Sequence, residues 1–354
     1  MVNCIRCVFR TVCGRVTSGL AAAGRREAQM RLIAIEEHFL TREVRQAWAV
    51  APGPEDPSCA FHGGGLGARL EDLGEMRLRL MDETGVDVQV LSLTTPGLHN
   101  LESGPSIALA HRTNDLVAEA VAHTPERFQG FAALPTAAPL EAARELERSV
   151  RELGLKGAML CGRTREKNLD HPDFWPIFEC AAGLGVPLFI HPQIPQQAVR
   201  DAYYSGFGAE VDLAFAGPGL GWHYEAGLQF VRLVLAGVFD RFPDLQIILG
   251  HWGEVILFYL ERLSVLDRTG RLARPFADYA RENLYVTASG MFSETYLQRC
   301  VEIVGIDRIL FSTDYPYQYR PGRDARRFLE RAPLDTVGKA KLAHVNWERL
   351  TGWG

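Results

Sequence analysis

Eight short runs rich in aliphatic and β-branched residues recur along this chain, at Leu32–Glu36, Val88–Leu93, Gly130–Leu134, Gly157–Leu160, Pro187–Ile190, Gln246–Leu249, Leu284–Thr287 and Arg308–Ser312. Between them lie amphipathic stretches such as EMRLRLMDETG, IALAHRTNDLVAEAVAHTP, LEAARELERSVRELG and FWPIFECAAGLG, several of which stop at Gly or meet Pro where a helix must end. Strands that alternate with helices pair in parallel. Eight such units predict an α/β fold of the closed (β/α)₈ TIM-barrel type. A doubly wound sheet is the alternative, but it normally has fewer strands and a Gly-rich phosphate turn. HGGGLG at 62–67 has no strand before it and reads as a loop.

A length of 354 residues suits one such barrel, with 47% hydrophobic and 23% charged residues as in ordinary globular chains. The net charge of −5 offers no basic field for nucleic acid or an acidic membrane surface. No apolar run approaches the roughly 20 residues a membrane span needs. Seven cysteines, whose single CxxC (Cys4 and Cys7) falls in the first 13 residues with no second such pair, give neither a disulfide framework nor zinc-ribbon spacing, which points to a reducing compartment. Residues 1–29 differ: they hold five arginines and one acid, Glu27. They read as a disordered extension, a targeting segment or a start-site artefact. Residues 30–354 are expected to form the barrel domain. The expected location is the cytoplasm, or the mitochondrion if residues 1–29 are a true transit peptide.

Two long insertions break the pattern, one from about 41 to 70 after the first strand and one over 193–225 after the fifth. Both belong at the C-terminal face of the barrel, where such folds build their sites. The second is dense in aromatics (Tyr203, Tyr204, Phe207, Phe215, Trp222, Tyr224), suited to a self-packed loop core, to a lid over an apolar ligand, or to both.

Polar residues at strand ends face that mouth. The first strand ends Glu36-Glu37-His38, the fifth ends at His191, the sixth leads to His251 and Glu254, and the eighth to Asp314. Alternation along a strand puts Glu36 and His38 on one face and Glu37 on the other. A lone strand-end histidine is more often a hydrogen-bonded core residue. Two imidazoles and two carboxylates converging on one rim match a divalent-metal site. His251 and Glu254 are spaced to meet on one face where a helix begins, and the carboxylate favours a protonated imidazole. Arg262 lies three helical turns beyond His251. It is either a solvated surface arginine or an anion clamp reaching a carboxylate in this site or a neighbouring subunit's site. The remaining histidines lie on loops or helices, His223 among them in the second insertion.

Taken in order, IAIEEHF, VDVQVLSLTTPG, RTNDLVAEAVAHTPERFQGFAALP, FWPIFECAAGLGVPLFIHP, LVLAGVFDRFPDLQIILGHWGE and ENLYVTASGMFS…DRILFSTDYPY resemble the metal-dependent decarboxylases of the amidohydrolase superfamily. That group includes γ-resorcylate and 2,3-dihydroxybenzoate decarboxylases and, more distantly, aminocarboxymuconate-semialdehyde decarboxylase. The resemblance covers residues 31 to about 350. It implies that Glu36, His38, His191 and Asp314 bind one divalent metal, Zn or Mn with Mg as a further candidate. It implies that His251 and Glu254 complete the catalytic network and makes a dimer the family-level expectation; a homodimer or homotetramer is expected here, with Arg262, from its spacing, as the candidate substrate-binding residue. The Glu-x-His start points to the benzoate-type decarboxylases rather than to the His-x-His relatives.

The implied reaction is non-oxidative decarboxylation of an ortho-hydroxy aromatic acid, with Asp314 delivering a proton to the ring carbon. A metal-bound carboxylate is a poor proton store. Asp314 is therefore expected to carry the proton briefly, loaded by the substrate hydroxyl or through His251. Two anionic ligands leave a dication formally neutral, which suits a template better than a hydroxide generator. Oxygen ligands favour Mn or Mg over strict Zn. The rivals are a metal-dependent lactone or amide hydrolase on the same barrel and a non-catalytic metal-binding barrel. Glu37 is left open, as an outer partner of the site or one half of a helix-facing ion pair.

Overall fold

The computed structural model describes residues 30–51 and 56–352. The expectations for residues 1–29 lie outside the described residues.

Among the described residues nine strands appear in chain order: β1 (Ile33–Phe39), β2 (Val88–Leu93), β3 (Phe128–Gly130), β4 (Ala132–Ala133), β5 (Ala158–Leu160), β6 (Leu188–Ile190), β7 (Ile247–Leu249), β8 (Leu284–Thr287) and β9 (Ile309–Leu310). All pairings are parallel, in the orders β1-β2-β3 and β4-β5-β6-β7-β8-β9. β3 and β4 are one extended segment interrupted at Phe131. The Phe131 N–H donates to Leu91 O at 2.9 Å and the Ala132 N–H to Gly157 O at 2.8 Å, so the segment serves both neighbours. At the other seam the Ile35 N–H donates to Phe311 O (3.0 Å), the His38 N–H donates to Tyr315 O (2.6 Å), and Glu37 pairs in parallel with Tyr315. These bonds join the last strand to the first, so eight staves make the α/β barrel.

Inside the staves, Ile33, Ile35, Val88, Val90, Phe131, Met159, Phe189, Ile248, Tyr285 and Leu310 pack together. Each buried aliphatic or aromatic side chain contributes about 1.5–3 kcal/mol. Trp347, on the helix Asn346–Thr351, belongs to the same cluster and donates through Nε1 to Gln129 Oε1 at 2.8 Å.

This core sets the phase of the strand ends. Two residues beyond Phe189 stands His191, and beyond Leu310 come Ser312 and then Asp314. On β1 strict alternation from Ile33 and Ile35 would turn Glu37 inward. A register shift between Ala34 and Glu37 changes the phase, so Glu36 and His38 take the inner face.

The two insertions carry helices rather than bare loops. The first holds Arg42–Val50, the 3₁₀ turn Pro57–His62 and Gly64–Glu71. HGGGLG is therefore not simply a loop: Gly63 caps a helix that begins at Gly64. The second holds Gln197–Tyr203, Ala209–Ala214, an irregular turn at Phe215–Gly219 and the start of the helix Gly221–Leu235. No described helix is long and apolar enough to cross a membrane.

Candidate active site

Glu36, His38 and His191 converge at the barrel mouth with ligand atoms within 4.8 Å of one another. His191 Nε2 lies 3.7 Å from Glu36 Oε1, and His38 Nε2 lies 3.3 Å from Asp314 Oδ1. Each side chain is held from behind. His191 donates through Nδ1 to Pro192 O at 2.8 Å, which leaves the Nε2 lone pair for the site. His38 Nδ1 contacts Ser92 Oγ at 3.2 Å, so its Nε2 also faces inward. Glu36 Oε2 accepts from Ser289 Oγ and, at 3.4 Å, from Ser312 Oγ. A Cβ on Gly250 would stand 3.2 Å from the Glu36 carboxylate and 2.6 Å from Ser289 Oγ, so glycine is what leaves room for this arrangement.

Two inward atoms, Glu36 Oε1 and His38 Nε2, are buried without a hydrogen-bond partner. Burial pushes the Glu36 carboxyl well above its usual range against the Ser289 hydrogen bond, with the charges of Glu254 and Glu37 adding to the rise. Burial and the charges of Glu36, Glu37 and Glu254 do the same to Asp314. Burial and neighbouring cationic groups push His38 well down, and burial with His251 takes His191 to about 3. Neutral imidazoles beside crowded carboxylates, with unsatisfied lone pairs aimed at one point, fit a divalent cation.

Asp314 sits on left-handed backbone (φ 55°), a conformation that Asp tolerates better than most residues. His251 and Glu254 do meet, with Nδ1 donating to Oε1 at 2.6 Å, but not on a helix. Residues 251–255 all have positive φ, from 45° at His251 to 90° at Gly253 and 66° at Val255. A β-branched residue there is strained, and such strain gathers at functional sites. This turn overturns the helical-face argument for Arg262. The helix starts at Ile256, and Arg262 is exposed on it, outside the set of residues lining the cavity.

Glu37 is an outer partner rather than half of a helix-facing ion pair. It accepts from the Thr313 N–H (2.8 Å), Thr313 Oγ1 (2.6 Å) and Gln89 Nε2 (2.9 Å). The buried Arg77 stands nearby and donates to His38 O at 2.5 Å. Burial raises the Glu37 carboxyl to about 7 against the pull of Thr313 and Arg77.

Sequence reasoning named His223 and His62 without giving either a role, and did not single out Ser289 or Tyr317. His223 donates through Nδ1 to Glu254 Oε2 at 2.8 Å, so Glu254 is shared between two imidazoles. Burial alone would raise the Glu254 carboxyl, but His251 and His223 hold it at about 2. Burial lowers His223, yet Glu254 outweighs it and the net shift is upward. The His62 Nε2–H donates to Thr95 O at 2.6 Å, and His62 Nδ1 accepts from Tyr317 Oη at 2.9 Å. Tyr317 in turn lies edge-on to His38 at 5.5 Å between ring centres. Ser289 was findable, being two residues beyond Thr287 on the same strand phase. His223 and His62 carried no periodic signal.

Above the polar floor opens a cavity of about 1030 Å³. Its upper wall is apolar, with Phe61 and Leu66 from the first insertion and Trp222 from the second. Phe61 and Trp222 meet edge-to-face at 5.8 Å. The other lid aromatics divide: Phe215 packs on Tyr204 and Phe207, while Tyr203 is exposed. Both readings of that insertion therefore hold, a packed loop core and a wall of the cavity.

A family profile described as amidohydrolase matches residues 59–350. The γ-resorcylate decarboxylase of Polaromonas sp. (strain JS666) is 37% identical over 332 residues, 90% of this chain and 97% of that protein. The structure of 5-carboxyvanillate decarboxylase from Sphingomonas paucimobilis is similar with a TM-score of 0.84 at 32% identity, covering 91% of this chain and 99% of that one. The dihydroxybenzoic acid decarboxylase of Polaromonas sp. JS666, solved with manganese and the inhibitor 2-nitroresorcinol, is similar with a TM-score of 0.77 at 34% identity, covering 91% and 97%.

Proposed function

We propose, from the premise that this chain belongs to the amidohydrolase family, that it is a metal-dependent decarboxylase of ortho-hydroxy aromatic acids of the resorcylate or dihydroxybenzoate type. The observation that carries the reading is the pair of buried, unpartnered atoms Glu36 Oε1 and His38 Nε2 beside His191 and Asp314. We assign Glu36, His38, His191 and Asp314 as the holders of one divalent ion, with manganese, found in the Polaromonas relative, as the first candidate. When bound, that ion supplies a Lewis acid and a template for a carboxylate and an ortho oxygen.

The protein's own groups then handle the proton. Glu254 fixes His251 through Nδ1, which leaves His251 Nε2 as its other proton-carrying atom. Asp314 takes a proton from the substrate hydroxyl or by way of His251 and passes it to the ring carbon that bears the carboxylate; the bond to that carboxylate then breaks, CO₂ leaves, and the electron pair restores the aromatic ring. Phe61, Leu66 and Trp222 keep water from the ring.

Exposed Phe258, Tyr259 and Val265 lie beside Arg262 and support a homodimer or homotetramer, in which Arg262 reaches a second copy's site rather than its own.

The test is incubation of manganese-loaded protein with a panel of ortho-hydroxybenzoates. CO₂ release is expected, and bicarbonate should drive carboxylation of the matching phenol. Loaded protein that does neither across the panel would overturn the reading.

A further inference from the structure

Glu254 has two carboxylate oxygens, and each accepts from a different imidazole. His251 takes Oε1 at 2.6 Å and His223 takes Oε2 at 2.8 Å. The two rings lie 4.4 Å apart. His251 belongs to the strained turn after β7, whereas His223 belongs to the first turn of the lid helix Gly221–Leu235. Gly227, one helical turn after His223, is what brings that helix so close. A Cβ there would stand 2.2 Å from Glu254 O, so only glycine lets the helix lie against the turn.

The other nitrogen of His223 faces the roof. Nε2 lies 3.2 Å from Trp222 Nε1 and 3.2 Å from Pro218 O. A neutral ring accepts the indole N–H, and a protonated ring donates to the carbonyl. Trp222 packs against Phe61 and, at 6.4 Å, against the ring of His191. One side chain therefore touches the proton-handling pair on one side and the cavity roof on the other.

We propose that His223 is a positioning residue that holds Glu254 from the lid side, so that the Glu254–His251 pair is set only when the lid helix and Trp222 are seated over the cavity. The proposal rests on the decarboxylase reading for its link to turnover, but its contact with Trp222 stands apart from any reaction. Removing the imidazole frees one oxygen of a buried carboxylate, and His251 loses its fixed geometry while the four proposed metal holders keep theirs.

The test uses the full-length, manganese-loaded protein and three variants. In His223→Leu, kcat for CO₂ release from 2,6-dihydroxybenzoate should fall roughly tenfold, the scale on which an outer partner of a functional histidine registers. KM should stay within about twofold. His223→Asn places an amide donor where Nδ1 stood and should recover most of the loss. A packing role alone predicts the reverse order, because Leu fills space better than Asn. Should His223→Leu fail to fold, His223→Asn against wild type decides, with near-wild-type kcat expected. In ligand-free protein the emission of Trp222, isolated as the difference from Trp222→Phe, should rise in both His223 variants as imidazole quenching is lost. Wild-type kcat in folded His223→Leu, an Asn variant no better than Leu, or unchanged Trp222 emission would overturn the proposal. Absence of CO₂ release by the wild type would instead count against the decarboxylase reading, and the emission arm would then decide His223.

Discussion

Glu37 and Thr313, 276 residues apart in sequence, share two hydrogen bonds, from the Thr313 N–H at 2.8 Å and from Thr313 Oγ1 at 2.6 Å. They clasp the first strand to the end of the last, one residue before Asp314. Glu37→Ala would leave those donors and Gln89 Nε2 buried and unpaired. A loss of about 1–3 kcal/mol in unfolding free energy is expected, the usual cost of a stranded buried polar group. Urea unfolding of the variant measures it, and an unchanged midpoint would show that the clasp carries no weight.

The same carboxyl gives a pH dependence of definite sign. Its folded value of about 7 stands above the ordinary 4.5, so the folded protein holds the proton more tightly than the unfolded chain does. Stability from this group is fully present below pH 4.5 and is lost as pH rises through 7. Metal-free wild type should therefore lose stability relative to Glu37→Gln across that window. A constant difference between the two proteins from pH 4.5 to 8 would contradict it.

The strands were legible because each is a short aliphatic run buried on both faces, and the barrel followed from their number and alternation with helices. The metal-holding candidates were legible because they sit at strand ends, where period-two geometry dictates direction. Three things were not. The phase change in β1 is a local shift that leaves no mark in the pattern, although it decides that Glu36 rather than Glu37 turns inward. The left-handed turn at 251–255, and not helical spacing, places His251 on Glu254. His223 reaches the site from an aperiodic lid, positioned by close packing at Gly227 that only three-dimensional contact reveals.

Metal binding should appear as stability. A ligand that binds only the folded protein adds about 2.7 kcal/mol at a hundredfold excess over its Kd. Manganese should accordingly raise the melting temperature of wild type but not of His38→Ala or Glu36→Ala, which each lack one of the unpartnered buried atoms. Equal upward shifts in all three proteins would place the ion elsewhere.

Asp314→Asn keeps an oxygen facing His38 but cannot carry the proton. Turnover should fall by roughly 10²–10⁴, the range for loss of a general acid. Metal content, read by elemental analysis, should remain near stoichiometric. Near-normal turnover in metal-replete Asp314→Asn would remove Asp314 from the proton step.

The cavity is larger than a hydroxybenzoate requires. A space of about 150 Å³ accepts benzene, whereas this cavity holds about 1030 Å³. Beside the polar Thr295, Tyr296, Arg299 and Gln318, its lining carries the apolar side chains of Leu66, Leu220, Val255, Leu257 and Met291. Space of that kind rewards apolar substituents on the ring. Each methylene moved from water into it is worth about 0.8 kcal/mol, or roughly fourfold in kcat/KM if the contact is made in the transition state. Ortho-hydroxybenzoates bearing methyl, propyl and pentyl groups should therefore show rising kcat/KM until the chain meets the mouth at Phe258, which is 82% exposed. Leu257→Trp should abolish the gain for the longer chains while leaving the unsubstituted acid little affected. A flat or falling series in the wild type would mean that the apolar wall does not receive the substrate.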